Sequence, residues 1–350
     1  MIRVLVVDDS LTVRKWIVEV LEEHPDFEVV GEAKNGKEAI HLAEAYRPDL
    51  ITMDMMMPEM TGLAATEYIM AHSPTRILIV SASTNRGELL KTYDALAAGA
   101  ISVFEKPTGK TEDTKWEKEL VAELKMVSRI PVIRHLKGKQ LHKPQFDRLS
   151  ALAKGENYNL IAIGASTGGP QTILKILQAL PADFPIPILC VLHISPDFST
   201  SLPDWFSLNT HLQVEFAKGG ENLLNCGKTN VFLAPGDHHL CLKGPQLKLT
   251  QDPPRNFCRP SVDVLFESIA RHPQYLPVGV LLTGMGKDGA AGMKMIRDTG
   301  GFTIAQNEES CVVFGMPKEA IALGAAEIVL SAEEIADELL HLANGSVRNV

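Results

Sequence analysis

The chain has 350 residues, of which 45% are hydrophobic and 22% are charged, and its formal net charge is −9 at pH 7. This length accommodates two domains with full cores, and the acidic balance argues against a general nucleic-acid-binding protein, which would carry a basic face. The five cysteines form no CxxC pair, and no stretch approaches the roughly 18 apolar residues that span a membrane. We therefore expect a cytosolic protein with reduced thiols and no direct membrane insertion.

The first third of the chain alternates strand-like and helix-like segments. Short apolar, β-branched runs predict strands at residues 4–7, 27–30, 50–53, 77–80 and 101–104. Apolar residues at helical spacing follow the first run, residues 36–46 fit a helix that ends before Pro48, and residues 116–127 fit a closing amphipathic helix. This alternation predicts a parallel sheet with helices on both faces.

The sequence after residue 128 indicates a linker followed by a second, larger domain. In residues 129–157 basic residues outnumber acidic ones and periodicity is weak, so we interpret this segment as an interdomain linker with a short helix around residues 146–153. Beyond it, strands are predicted at residues 160–163, 188–192, 214–217, 231–234, 278–282, 303–305 and 328–330, with a hairpin at 239–250 and helices at 171–179, 262–271, 291–298 and 332–342. The sequence thus predicts two doubly wound α/β domains, at residues 1–128 and 158–347.

Acidic, hydroxyl and amino groups stand at the predicted strand ends of the first domain. Asp8 and Asp9 follow the first strand and Asp54 the third, and Ser81 and Lys106 follow the fourth and fifth. Because ligands of an open parallel sheet lie beyond the carboxyl ends of its strands, these residues should share a pocket. Clustered carboxylates repel one another unless a cation neutralises them, and oxygen ligands suit Mg²⁺. A carboxylate screened in this way can attack phosphorus; the alternative is that each acid caps a helix or lies in a loop.

These residues closely resemble a response-regulator receiver domain, over residues 1 to about 128. The resemblance rests on Asp8-Asp9, on Asp54 before the segment from Met55 to Gly62, on Ser81-Ala82 and on Lys106-Pro107. It implies a five-stranded flavodoxin-like fold that a chemotaxis histidine kinase phosphorylates with the help of Mg²⁺. The residues it implies are Asp54 for phosphorylation, Asp9, Asp54 and the Met56 carbonyl for Mg²⁺ with Asp8 nearby, and Ser81 and Lys106 for the switch. The chain departs from the family at Val103, where receivers often carry an aromatic switch residue.

The second domain has a serine, a histidine and an aspartate at the ends of predicted strands. Ser166 lies on a GxSxG turn after an apolar run, His193 ends another run, and Asp288 lies in a glycine-rich loop after a third. A nucleophile, its base and the group that orients the base require these three residue types. Each also has a plainer explanation: a phosphate-binding helix N-terminus, a structural histidine and a helix cap. The neighbouring pair His238-His239 lacks a third ligand for a metal site.

This domain resembles the catalytic domain of the chemotaxis protein-glutamate methylesterase. The segments that carry the resemblance are residues 164–170, 232–236, 259–266, 282–292 and 315–317. The resemblance implies an α/β hydrolase-type domain in which Ser166 is the nucleophile, His193 the general base and acid, and Asp288 the orienter. It also implies the Met285 backbone in the oxyanion hole, deamidation of receptor glutamines, and no cofactor for the hydrolase reaction.

Together the two resemblances imply a two-domain enzyme that removes γ-methyl esters from glutamates of methyl-accepting chemotaxis receptors during sensory adaptation. In the family, the unphosphorylated receiver covers the active site and phosphorylation at Asp54 uncovers it. The chain departs from the family around the histidine, at Leu192, Ile194 and Ser195, where the family commonly reads Gln-His-Met-Pro. Two alternatives therefore stay open: the same chemistry on another partner protein, and a non-catalytic signalling module with a decayed site.

Overall fold

The computed structural model describes residues 1–82, 86–107, 114–132, 158–223 and 231–347. The chain divides into two compact units, Met1–Lys139 and Gln140–Val350. Most of the predicted linker at residues 129–157, including its short helix, lies outside the described residues, so the predicted domain bounds stay predictions. Among the described residues, none of the helices combines the length and the apolar character that crossing a membrane requires.

The first unit contains a parallel sheet with helices between its strands. Its elements are β1 (Ile2–Val7), α1 (Leu11–Glu22), β2 (Phe27–Ala33), α2 (Gly36–Tyr46), β3 (Leu50–Met53), α3 (Gly62–His72), β4 (Arg76–Ser81), α4 (Arg86–Ala97), β5 (Ser102–Glu105) and α5 (Thr114–Val127). The five strands run in the order β2-β1-β3-β4-β5, and every neighbouring pair is parallel. The strand order reverses between β1 and β3, and ligands of such folds bind at that point.

Short polar side chains begin the first three helices of this unit. The side chains of Ser10, Asn35 and Thr61 accept hydrogen bonds from the third residue of α1, α2 and α3, respectively. These caps satisfy backbone N–H groups that have no partner within the helix. The strands of the sheet's centre are buried, β3 along its whole length, because helices cover both faces of the sheet.

The second unit has a larger parallel sheet and a separate hairpin. Its strands are β6 (Leu160–Ala165), β7 (Ile188–Leu192), β8 (Val214–Phe216), β9 (Val231–Leu233), β10 (His239–Lys243), β11 (Gln246–Thr250), β12 (Pro277–Leu281), β13 (Phe302–Gln306) and β14 (Ile328–Leu330). Its helices are α6 (Gly169–Ala179), α7 (Pro196–Ser199), α8 (Leu202–Asn209), α9 (Val262–Ala270), α10 (Ala290–Asp298), α11 (Met316–Ala322) and α12 (Ala332–Val347).

The sheet order of the second unit brings three loops together. Seven parallel strands run in the order β14-β13-β12-β6-β7-β9-β8, and β10 and β11 form the antiparallel hairpin. The chain first builds outward from β6 through β7 and then returns to β12 on the other side of β6. The loops that follow β12, β6 and β7 are therefore neighbours at the carboxyl edge of the sheet, where a ligand crevice is expected.

The predicted fold class, two doubly wound α/β domains with parallel sheets, is confirmed. The hairpin around Gly244-Pro245 is also confirmed. Ser81 stands at the end of β4, as the sequence indicated. Five helices were not located from the sequence: α3 and α4 in the first unit and α7, α8 and α11 in the second.

Candidate functional sites

The structure brings the predicted acidic cluster of the first unit together. Lys106 Nζ lies 3.0 Å from Asp8 Oδ2 and 2.9 Å from Asp54 Oδ2. Asp8 and Asp54 are buried, and Asp9 beside them is exposed. The three aspartates offer carboxylate oxygens that all lie within 4.8 Å of one another. This pocket therefore holds more negative charge than its single described ammonium neutralises.

Burial and charge crowding change the proton affinities in this pocket. Burial raises the pKa of Asp54 to about 7, against the opposing charge of Lys106 and with a further contribution from Asp8. Burial likewise raises the pKa of Asp8, although Lys106 opposes it. Burial of Lys106 favours its neutral form, but the charges of Asp54 and Asp8 outweigh burial and raise its pKa. A second cation would relieve the repulsion between the two buried carboxylates.

The donor set of this pocket fits Mg²⁺. All the available ligands are carboxylate oxygens, and the exposed position of Asp9 leaves room for the waters that Mg²⁺ retains. Asp54 Oδ1 accepts a hydrogen bond from the Met56 N–H at 3.4 Å, which fixes one side of the carboxylate. The part of the Met56 carbonyl in metal binding stays a prediction.

In this structure Ser81 is hydrogen-bonded within the first unit, and its predicted part in the switch stays a prediction. Its hydroxyl donates to Glu88 Oε1 at 2.6 Å, in a buried contact between the end of β4 and the first turn of α4. Glu88 has no counterpart among the residues that the sequence analysis singled out. Val103 lies in β5 opposite Ile79 of β4, and its neighbour Phe104 packs against Trp116 in a tilted arrangement with ring centroids 5.7 Å apart. Because successive strand residues face opposite sides, Phe104 does not take the place of an aromatic residue at position 103.

In the second unit, Ser166 lies on a tight turn between β6 and α6. Its N–H donates to the Thr283 carbonyl at 3.0 Å, and its own carbonyl accepts from the Gly169 N–H at 2.7 Å. Gly168, with φ of 76°, adopts the left-handed conformation that turns the chain into α6. Gly284 packs against the serine so closely that a Cβ there would lie 2.7 Å from Ser166 Cβ. The turn thus holds the half-buried hydroxyl at the carboxyl edge of the sheet.

His193 and Asp288 form a direct contact. His193 Nε2 lies 2.9 Å from Asp288 Oδ2, and the His193 N–H donates to the Ala165 carbonyl at 3.0 Å, next to Ser166. The other ring nitrogen, Nδ1, faces Cys258 Sγ at 3.7 Å. Within the described part of this unit, no hydrogen bond joins the Ser166 hydroxyl to His193. The three predicted residues are therefore neighbours, with His193 and Asp288 paired and Ser166 on the adjacent strand end.

A network of donors holds Asp288 in place. Its Oδ2 accepts from the Val262 N–H at 2.7 Å and from His193. Its Oδ1 accepts from Ser261 Oγ at 2.7 Å, from Asn256 Nδ2 at 3.0 Å and from the Asp263 N–H at 3.3 Å. Asp288 is 3% exposed, so it is not an ordinary solvent-facing helix cap. Both oxygens are fully engaged, and their orientation fixes the ring of His193.

Hydrogen bonding decides the proton affinities of this pair. Burial of the ring lowers the pKa of His193, but hydrogen bonds with Asp288 and Cys258 outweigh burial and raise that pKa to about 9. Burial of Asp288 opposes its ionisation, yet the hydrogen bonds from His193 and Asn256 hold its pKa below the ordinary value. Asp288 is therefore ionised at neutral pH. Its negative charge can stabilise His193 when the ring gains a proton.

Sequence reasoning missed three contributors to this site: Asn256, Cys258 and Ser261. They lie in an irregular stretch where Asn256 and Phe257 have φ of 52° and 64°, and only Ser261, directly before α9, carried a local signal as a helix cap. His239 is a structural residue: its Nδ1 accepts from the Ser261 N–H at 3.2 Å. Met285 is 61% exposed at the rim.

Comparison with known proteins agrees with this architecture. Residues 161–339 match the model of the family described as CheB methylesterase, and residues 4–115 match the response regulator receiver domain. The "Protein-glutamate methylesterase/protein-glutamine glutaminase 1" of Syntrophus aciditrophicus (strain SB) is 41% identical over 357 residues, 99% of each chain. The protein of that name from Nitrosospira multiformis is 38% identical over 347 residues, 98% of this chain and 97% of the relative.

Among solved structures, the chain is similar to the crystal structure of the Thermotoga maritima CheB methylesterase catalytic domain. The identity is 39% and the TM-score 0.49, over 53% of this chain and all of that one. The two family-model matches and the curated relatives define the class of protein as a response-regulator receiver joined to a hydrolase domain. Within that class, the chain belongs to the CheB methylesterase family, whose relatives are named protein-glutamate methylesterases and protein-glutamine glutaminases.

Proposed function

We propose that the second unit hydrolyses γ-methyl esters of glutamates in methyl-accepting chemotaxis receptors, and deamidates specific receptor glutamines, through Ser166, His193 and Asp288. The observation that supports this most directly is the 2.9 Å contact of His193 with the buried Asp288, on the strand end next to Ser166. A nucleophile, a base and an orienter at adjacent strand ends are the parts that acyl transfer needs.

The mechanism begins with the neutral form of His193. Its Nε2 keeps a proton and donates it in a hydrogen bond to Asp288. Nδ1 therefore carries the lone pair that accepts the proton of the Ser166 hydroxyl. Ser166 Oγ then forms a bond to the ester carbonyl carbon, and the carbonyl oxygen becomes an oxyanion. We assign the backbone N–H of Met285, which follows Gly284 where that residue packs against Ser166, as a donor to that oxyanion.

Breakdown of this intermediate uses the same residues in reverse. The proton on His193 passes to the methoxy oxygen, methanol leaves, and a glutamyl ester of Ser166 remains. Water then gives a proton to His193 and its oxygen to the acyl carbon, and the Ser166 oxygen leaves with the proton from His193. A glutamine side chain follows the same course with ammonia as the first leaving group, so one acyl-enzyme serves both reactions.

The resting arrangement must change slightly before the first step. His193 Nδ1 faces Cys258 Sγ at 3.7 Å, and the serine hydroxyl must replace the thiol at that nitrogen. We expect the serine hydroxyl to reach this nitrogen when substrate binds, since catalytic hydrogen bonds often form fully only in the substrate complex. Phe257 and Met285 are exposed apolar side chains that adjoin Cys258 and Gly284 in the sequence, and we expect them to contact the receptor segment that carries the substrate.

The nucleophile assignment is tested with Ser166→Ala. We expect methanol release from methylated receptor to fall by about 10⁴ or more, as removal of such nucleophiles generally does, and covalent labelling by a serine-reactive probe to disappear. Mass spectrometry of receptors and of other carboxymethylated proteins, with and without enzyme, identifies the substrate and any deamidation. Turnover above about a tenth of the wild-type value would contradict the assignment, and preferential release from a non-receptor protein would favour a different partner.

We further propose that Asp54 is phosphorylated by a chemotaxis histidine kinase and that phosphorylation raises the hydrolase rate. Asp8, Asp9 and Asp54 would hold Mg²⁺, which screens the negative charge of the incoming phosphoryl group. An oxygen of ionised Asp54 forms the new bond to phosphorus while the phosphorus–nitrogen bond to the histidine of the kinase breaks and that histidine leaves. Lys106, 2.9 Å from Asp54 Oδ2, is a cation placed to contact the phosphoryl oxygens.

Asp54→Ala in the full-length chain tests this regulation. We expect a small phosphodonor with Mg²⁺ to accelerate the wild-type enzyme on methylated receptor, and to leave Asp54→Ala at its basal rate because no acyl phosphate forms. Asp49→Ala is the matched control and should keep the acceleration, because Asp49 directly precedes β3, at the opposite end of that strand from Asp54. Equal acceleration of Asp54→Ala would rule out this residue as the phosphorylation site.

A further inference from the structure

Cys258 lies at the nitrogen of His193 that Asp288 leaves available. Its Sγ is 3.7 Å from His193 Nδ1, and its other contact is the Asn256 carbonyl, at 3.4 Å. A tight turn fixes the thiol there, because the N–H and carbonyl of Cys258 pair with the carbonyl and N–H of Arg255 at 2.9 and 3.1 Å. Neither step of the proposed hydrolysis uses this thiol.

The separation of sulfur and nitrogen suits a shared thiophilic cation. Zn²⁺ binds thiolate at about 2.3 Å and imidazole nitrogen at about 2.0–2.1 Å in a tetrahedral arrangement, which places the two ligand atoms about 3.5 Å apart. The observed 3.7 Å between Sγ and Nδ1 is therefore close to one edge of such a tetrahedron. Both residues are half-buried and not sealed from solvent, so waters have access to the remaining coordination positions.

Asp288 completes this arrangement from the far side of the ring. Its two oxygens already accept five hydrogen bonds, so it is not a direct ligand. In the neutral ring, the hydrogen bond that Asp288 accepts from Nε2 leaves the lone pair on Nδ1, as carboxylates do behind zinc-binding histidines. The orientation that prepares His193 as a base thus also prepares it as a metal ligand.

We propose that His193 Nδ1 and Cys258 Sγ form an inhibitory binding site for Zn²⁺ and related thiophilic divalent cations. The bound ion takes the lone pair that would accept the Ser166 proton, so it blocks hydrolysis reversibly. Its inhibitory effect rests on the proposed function, because Nδ1 matters only if His193 is the base. Metal binding itself does not depend on that assignment.

The binding test uses the full-length chain carrying Ser166→Ala, which leaves His193 and Cys258 intact. Co²⁺ is the spectroscopic probe, and excess Mg²⁺ is added to fill the acidic pocket of the first unit. Cobalt bound through a thiolate shows sulfur-to-metal charge-transfer absorption in the near ultraviolet. Cys258→Ala is the test variant. Cys241→Ala, which removes a half-buried thiol of the β10-β11 hairpin, is its matched control.

We expect the charge-transfer band in the Ser166→Ala parent and in the Cys241 variant. In the Cys258 variant the band should disappear and cobalt affinity should fall at least about tenfold, because changes even to groups behind the metal ligands lower metal affinity 10- to 100-fold. Equal cobalt affinity and absorption with and without Cys258 would overturn the proposal.

In chains that retain Ser166, Zn²⁺ should inhibit methanol release and a chelator should restore it. With each rate normalised to the same variant without metal, Cys258→Ala should raise the half-inhibitory Zn²⁺ concentration at least tenfold. Cobalt binding through Cys258 with no effect of Zn²⁺ on hydrolysis would overturn the inhibitory role and the assignment of Nδ1 as the base. A chain that binds cobalt through Cys258 but never hydrolyses receptor esters would count against the proposed function alone.

Discussion

Asp288→Asn separates the orienting role of this residue from its role as a hydrogen-bond acceptor. The aspartate accepts from five donors, two at Oδ2 and three at Oδ1. An asparagine keeps the shape but turns one of these oxygens into an NH₂ group. Placed at Oδ1, that group would oppose three donors. Placed at Oδ2, the NH₂ group would face two donors, the Val262 N–H and His193 Nε2. Of these, only His193 can become an acceptor, by carrying its proton on Nδ1 instead of Nε2.

The expected effect follows from this choice. With its proton on Nδ1, His193 has no lone pair for the Ser166 hydroxyl, and turnover should fall by about 10⁴, the loss seen when other triads acquire the wrong tautomer. This loss corresponds to about 5 kcal/mol of transition-state stabilisation. The Val262 N–H, buried and left without its acceptor, should lower the free energy of unfolding by about 1–3 kcal/mol.

The assay is steady-state methanol release from methylated receptor, combined with denaturant unfolding to confirm that the variant is folded at the assay temperature. Asp263→Asn is the matched control, because Asp263 is also a buried carboxylate beside Asn256 but bonds the Gly292 N–H and not His193. The control should lose stability and keep turnover within about tenfold. Near-wild-type turnover in Asp288→Asn, while His193→Ala is inactive, would refute the orienting role.

Two further outcomes are expected. With chelator present, kcat/KM should rise about tenfold per pH unit and level off above about 9, because the neutral ring of His193 is the base and its pKa is raised to about 9; a profile flat between pH 6 and 9 would contradict this. Gly284→Ala should place a Cβ close to the buried Met316 Sδ and 2.7 Å from Ser166 Cβ, and displace the nucleophile, so turnover should fall while circular dichroism stays native. Gly31→Ala, whose Cβ would meet only side-chain atoms at 3.3 Å or more, should keep turnover.

The sequence was sufficient to predict the strands and the residues at their ends. Buried parallel strands are near-continuous apolar runs, and the rule that ligands bind beyond their carboxyl ends then gathers Asp8, Asp54 and Lys106, or Ser166 and His193, without knowledge of the loops. The contacts of Lys106 with both acids and of His193 with Asp288 agree with that expectation.

The loops were less predictable because tertiary contacts determine them. The helices α7, α8 and α11 are short, and each has a proline in its first turn, so periodicity gave no signal even though proline suits that position. The segment that carries Asn256 and Cys258 has left-handed residues that are not glycine. Its side chains reach Asp288 and His193 only through the fold, and no spacing within the sequence encodes these contacts.

The pairing of Ser81 with Glu88 bears on how a phosphoryl group at Asp54 would be sensed in a receiver with Val103. To donate its hydroxyl to the phosphoryl oxygens, Ser81 must release Glu88 Oε1, now 2.6 Å away and buried. Glu88, which is 8% exposed, loses a short hydrogen bond in that exchange. An unpartnered buried carboxyl group is unfavourable, so we expect the first turn of α4, which carries Glu88, to shift. In that case the hydrogen bond between Ser81 and Glu88, and not an aromatic side chain at position 103, would couple the acidic pocket to α4.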